Sequence, residues 1–208
     1  MVIQETRIMS QLNILSLNCL GGHIYRDLLK YPYGNPFIWT RLDNNDFIKL
    51  LENYETIDFL NYELIKEGDR LDKFRVLIDD NIKIQFNHHR FDAAAYTPQI
   101  RGVDVFYNKI WEYIADIYEK RLSRMTKEVD LVAIDDWDDS LDIERMKEIC
   151  TSKKYPLFIC TDRLPEHDND TIIIKPRIMH NGHGPGPGDI WQDYSNELKR
   201  LLKIKGET

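Results

Sequence analysis

The chain has 208 residues, with 35 acidic side chains against 28 lysines and arginines and a formal net charge of -7. That balance argues against electrostatic binding of nucleic acid, which needs a basic face, and no apolar run is long enough to span a bilayer. Three scattered cysteines, an odd number, suit a reducing compartment better than a disulfide scaffold, so the expected location is the cytoplasm.

The length fits a single domain over 1–208, with 1–10 and 204–208 expected as flexible ends. Ile14, Leu15 and Leu17 predict a first strand, and an amphipathic helix carrying Ile24, Tyr25, Leu28 and Leu29 follows it. A proline- and glycine-bearing loop from Tyr31 to Trp39 stops that helix and is expected to pack beside Cys19. Asp43 or Asn44 then caps a helix whose apolar face is Phe47, Leu50, Leu51 and Tyr54. Phe74 to Ile78 and Ile82 to Phe86, joined by Asp79, Asp80 and Asn81, read as a β-hairpin. Phe91 to Gly102 reads as a connection, and a long helix from about Val103 to Met125 repeats Phe106, Ile110, Ile114, Ile117 and Tyr118 at helical spacing. Strands are predicted at 129–134, 156–160 and 171–174, with a helix at 141–149 making a parallel βαβ unit. A Gly/Pro loop from His180 to Asp189 precedes a last amphipathic helix through Ile190, Tyr194, Leu198 and Leu201. The fold class is therefore α/β: a mixed, mostly parallel sheet with a β-hairpin edge, flanked by helices.

Cys19 is the lead candidate for chemistry. It stands where the first strand hands over to a helix, and the free amides and positive dipole end of a helix favour thiolate, the nucleophilic form. Cys150 and Cys160 end an amphipathic helix and an apolar strand, which places them in the core. On the hairpin strand, Ile82, Ile84, Phe86 and His88 share one face while His89 points to the other. A cysteine at a helix start with a strand histidine forms a thiolate–imidazolium pair, so Cys19 and His88 are the expected catalytic residues. No cofactor is expected for that pair.

A rival constellation is Asp136-Trp-Asp138 at the end of an apolar strand. Such an Asp-x-Asp pattern can hold a divalent metal against the diphosphate of a sugar nucleotide, although Asp138, Asp139 or Ser140 equally suits a helix cap. His180 and His183 in the Gly/Pro loop match no phosphate fingerprint. Arg121 and Arg124 at a basic helix end are secondary candidates for an anionic group.

The run Ile14 to Tyr25, with Asn18, Cys19, Gly21, Gly22 and Tyr25, is followed in order by Asn35-Pro36-Phe37, Asp46-Phe47, Ile84 to His88, and Arg121 with Arg124. This series resembles an uncharacterised bacterial family of the exopolysaccharide-biosynthesis type, DUF1919, over about residues 10 to 165. The resemblance implies a shared α/β fold and a role near surface-polysaccharide assembly (exopolysaccharide or capsule). The family has no established activity to transfer; the expected substrate is a small molecule or saccharide, the candidate binding residues are Asn18, Gly21, Gly22, Tyr25, Asn35, Trp39, His89, Arg121 and Arg124, and polysaccharide-assembly proteins are the candidate partners. A related group described as papain-like cysteine peptidases has a leading Cys, a Pro-Phe-Asp-Trp motif and a later His. Here Pro36-Phe37-Ile38-Trp39 carries isoleucine in place of that acid, and Leu20 stands where tryptophan is expected. An acid orienting the histidine would then come from Asp92, Asp135 or Asp136, or the site is a dyad. The functional expectation is a Cys–His hydrolase or acyl-type transferase; the alternatives are a metal-dependent glycosyltransferase using Asp136 and Asp138, and a non-catalytic partner in polysaccharide assembly.

Overall fold

The computed structural model describes residues 12–30, 34–66, 74–86, 103–136, 141–178 and 187–203. Within them lies the expected α/β architecture. β1 (Ile14–Ser16), β5 (Leu131–Asp135), β6 (Leu157–Cys160) and β8 (Ile172–Lys175) run parallel in that spatial order. The two-residue β7 (His167–Asp168) closes the far edge, antiparallel to β8. The strands read as continuous apolar runs because both sides of the sheet are covered.

Alternation divides each strand between two cores. On the first face, Leu15, Val132, Ile134, Leu157 and Ile159 pack against α2 (Asn44–Asn53), α3 (Val103–Leu122) and α4 (Ile143–Lys153), through Phe47, Leu50, Ile114, Tyr118, Met146 and Ile149. On the second face, Ile14, Leu131, Ala133, Phe158 and Ile173 meet α1 (Leu20–His23), the π-helical turns Ile24–Leu29, α5 (Pro187–Asp193) and α6 (Ser195–Leu201). Fully burying each of these aliphatic or aromatic side chains contributes about 1.5–3 kcal/mol before the entropy of ordering is subtracted.

The hairpin forms where expected, as β3 (Phe74–Ile78) and β4 (Ile82–Gln85). Asp79 and Asp80 hold left-handed φ values of 51° and 52°, which aspartate tolerates better than most residues, and Asn81 N donates to Ile78 O at 3.0 Å. It is joined not to the main sheet but to β2 (Tyr62–Lys66), in a three-stranded antiparallel sheet of its own whose Val76, Ile78, Ile82 and Ile84 enter the first-face core. Asp43 caps α2 by accepting from Asp46 N at 2.8 Å, and Asp142 caps α4 by accepting from Arg145 N at 3.1 Å.

Two helices depart from the simple amphipathic reading. α1 widens into π-helical turns at Ile24 and ends at Lys30, in left-handed backbone at φ 58°. The last helix breaks at Tyr194, whose φ of -119° is not helical. Tyr194 is pinned there by its hydroxyl, which donates to Pro176 O at 2.6 Å, and by its ring against Phe158. Among the described residues no helix is long and apolar enough to cross a membrane.

Candidate functional site

In open α/β sheets, ligands bind beyond the carboxyl ends of the parallel strands. That edge here carries Asn18 and Cys19 after β1, Asp135 and Asp136 at the end of β5, Cys160 at the end of β6 with Thr161 and Arg163 after it, and Lys175 at the end of β8 with Arg177 after it. The two aspartates are fully buried, and alternation sends them to opposite faces. Asp136 is enclosed: Arg163 donates to it through Nε at 2.6 Å and Nη2 at 2.8 Å, and Thr161 Oγ1 donates at 2.7 Å. Arg163 Nη2 also donates to Leu141 O at 2.7 Å, tying β5, β6 and the start of α4 together. Asp135 lies 3.7 Å from Arg177 Nε, beside Cys160, its register partner on β6. Burial, reinforced by the Asp135 charge, pushes the Cys160 thiol up to about 12.

Cys19 occupies the N-cap of α1 and is half-buried, whereas Cys150 and Cys160 are fully buried, as their positions in sequence implied. The helix end does not lower its pKa. Leu20 N donates to Asn18 Oδ1 at 3.1 Å and Gly21 N to Ser16 Oγ at 3.1 Å, so the first amides are already used. Burial prevails and pushes the Cys19 thiol up to about 11, a correction to the expected thiolate.

The other residues singled out in this motif are spent on packing. Asn18 Nδ2 donates to Asp135 O at 2.9 Å, fastening β1 to β5 beyond their paired region. Tyr25 is buried; its hydroxyl donates to Leu12 O and accepts from Ile14 N at 3.3 Å. Asn35 Nδ2 donates to Ile14 O and to Asn13 Oδ1, both at 2.8 Å, and its Oδ1 accepts from Phe37 N at 2.9 Å. Gly21 faces Ser16, and Gly22 lies directly under the Trp39 indole, so the 34–39 part of the loop does pack on the helix that follows Cys19. Arg121 is buried and donates to Ile38 O, and Arg124 Nε donates to Lys120 O at 2.9 Å on the surface. His88, His89, Asp92, Asp138, His180 and His183 lie outside the described residues. Among the described residues no group of three His, Cys, Asp or Glu side chains is placed to hold a metal ion.

A pair that the sequence reading passed over sits one turn beyond Cys19. His23 N donates to Cys19 O at 3.1 Å, so the two residues are true i and i+4 neighbours. His23 Nδ1 is 2.8 Å from Asp27 Oδ2, and its ring meets Trp39 edge-on at 4.9 Å. Arg26 forks onto Asp27 at 2.7 and 2.8 Å and lies 5.0 Å from the Trp39 ring centre. The hydrogen bonds from Arg26 and His23 hold the Asp27 carboxyl down at about 2. A step of four, Cys19 to His23 to Asp27, was the signal available.

Residues 2–99 match the profile of a family described as Domain of unknown function (DUF1919). This stretch is similar to DUF1919. The DUF1919 match takes in β1, Cys19, the helix after it and the hairpin sheet, while the Asp135 to Arg177 part of the strand edge lies past its end. No curated protein matches the chain.

Proposed function

We propose that the protein is a cysteine-dependent hydrolase or acyl-type transferase acting on a saccharide precursor of a surface polysaccharide in the cytoplasm, with Cys19 as nucleophile. The observation that supports it is the placement of a half-buried thiol at the carboxyl end of β1, on the edge where α/β sheets receive ligands, while the other two thiols are sealed in the cores. The setting in polysaccharide assembly rests on the resemblance carried by the ordered series from Ile14 to Arg124. A second reading, a non-catalytic partner in that assembly, is favoured by one finding: Asn18, Gly21, Gly22, Tyr25 and Asn35 are each engaged in packing or backbone hydrogen bonds.

The two readings separate on one substitution. Incubated with 4-nitrophenyl acetate and a panel of O-acetylated sugars, the wild-type chain is expected to form a thioester on Cys19, detected by intact mass and peptide mapping, and Cys19→Ser to lose it. Turnover retained in full by Cys19→Ser would reject the cysteine mechanism, and the absence of any acyl adduct on Cys19 would leave the assembly partner as the better account.

A further inference from the structure

The Cys19 thiol is protonated at neutral pH in its partly buried setting, so a nucleophilic role requires a base at hand. We infer that His23, oriented by Asp27, is the acid–base partner of Cys19, all three standing on one half-buried stripe of the first helix. This rests on the cysteine mechanism proposed above.

The stripe is visible in burial. Leu20, Gly21, Gly22, Ile24, Tyr25 and Leu29 are buried, whereas Cys19, His23, Arg26, Asp27 and Lys30 are half-buried or exposed, a spacing of three and four. Side chains four apart on a helix have Cβ atoms about 6 Å apart, within which a thiol and an imidazole can meet by rotamer choice. Asp27 fixes the tautomer. Its carboxylate is ionised and accepts only, so at 2.8 Å it places the proton on His23 Nδ1 and leaves the lone pair on Nε2. Arg26 Nη2, 3.1 Å from Nδ1, donates to the same Asp27 oxygen and has no lone pair to offer the ring. Among the described residues, the charged side chains within hydrogen-bond distance of His23 Nδ1 are Asp27 at 2.8 Å and Arg26 at 3.1 Å. Trp39 limits ring rotation from the side.

The step balances. As Cys19 Sγ adds to an acyl carbonyl, its proton passes to His23 Nε2; the ester C–O bond breaks and the imidazolium returns that proton to the departing sugar oxygen. Water then adds to the thioester, giving a proton to the same nitrogen. The C–S bond breaks, the acid leaves, and the proton returns to sulfur. Asp27 is a positioning residue throughout.

The test is the pH profile of Cys19 alkylation by chloroacetamide in the full chain, read by peptide mapping alongside acyl turnover. Wild type is expected to show two rises, one that depends on His23 acting as the base for the thiol, and a second at higher pH as the thiol itself ionises. His23→Gln should keep only the second, with acyl turnover reduced about a hundredfold. Asp27→Asn should weaken the first rise by releasing the tautomer. A His23→Gln profile superimposable on wild type overturns the inference while leaving a Cys19 adduct, and hence the preceding proposal, intact. Loss of the adduct in wild type fails the proposal instead. If His23→Gln does not fold, by near-ultraviolet circular dichroism, the nearly isosteric Asp27→Asn decides: an unchanged profile there overturns the inference.

Discussion

Trp39 and Gly22 illustrate how tightly the first helix is held at the level of single atoms. Trp39 lies in left-handed backbone, at φ 59°, and its indole rests on the helix where Gly22 has no side chain. A Cβ on Gly22 would stand 2.5 Å from Cε2 and 2.6 Å from Cδ2 of that ring, closer than nonbonded carbons approach. Gly22→Ala must therefore displace either the indole or the helix, and overpacking of this kind costs about 1–3 kcal/mol. A lowered thermal midpoint is expected, with most of the loss recovered when Trp39→Ala is added, because removing the ring removes the clash. Additive losses in the double variant would show that the contact is not the cause. The same contact makes Gly22 a positioning element for His23, whose ring also meets the Trp39 indole, with centroids 4.9 Å apart.

At the scale of elements, the chief problem is the second side of β1, which among the described residues pairs with a strand, β5, on one flank only. An exposed strand edge offers unpaired amides and carbonyls to other chains. Here Tyr25 binds Leu12 O and Ile14 N, Asn35 binds Ile14 O, and Leu42 N donates to Leu17 O at 3.4 Å, so side chains and loop close the ladder. Tyr25→Phe keeps the ring and deletes the hydroxyl, leaving a buried carbonyl without its donor; the expected loss is about 1–3 kcal/mol in denaturant unfolding. A loss no larger than that of an exposed tyrosine substitution would contradict the edge-sealing role. Much of this architecture was legible in the sequence: the apolar strands, the Asp79–Asp80 turn and the Asp43 cap each follow from local rules. β2 was not, since Tyr62-Glu-Leu-Ile-Lys66 neither alternates cleanly nor forms an apolar block. The break at Tyr194 depends on Pro176, and the pairs Asp136–Arg163 and Asp135–Arg177 join segments that only the sheet brings together. Tyr25, Asn35 and Gly22 stood out as distinctive residues, but distinctiveness does not say whether a polar group serves a ligand or a strand edge. His23 and Asp27 were within reach, because a step of four along a helix needs no tertiary information.

The three thiols report on the molecule as a whole, since they sit in three different environments. Cys150 on α4 belongs to the first-face core and Cys160 on β6 to the second-face core; both are fully buried, and burial pushes each thiol up to about 12. Neither can be alkylated until its core opens, because the reactive species is an accessible thiolate. The two cores share one sheet whose neighbouring residues alternate between them, as Val132 and Ala133 or Phe158 and Ile159 do, so unpairing the strands for one face exposes the other. A single cooperative transition is the consequence. In urea, with chloroacetamide pulses analysed by peptide mapping, Cys150 and Cys160 are expected to become reactive at the same midpoint and with the same denaturant slope. Cys19, half-buried at the rim, should react slowly without denaturant and independently of that transition. Separate midpoints for Cys150 and Cys160 would mean that the helices on one face leave while the sheet and the other face persist. In that case the Cys19 helix, which belongs to the second face, would have a stability of its own, and its geometry would follow α5 and α6 rather than the first-face core.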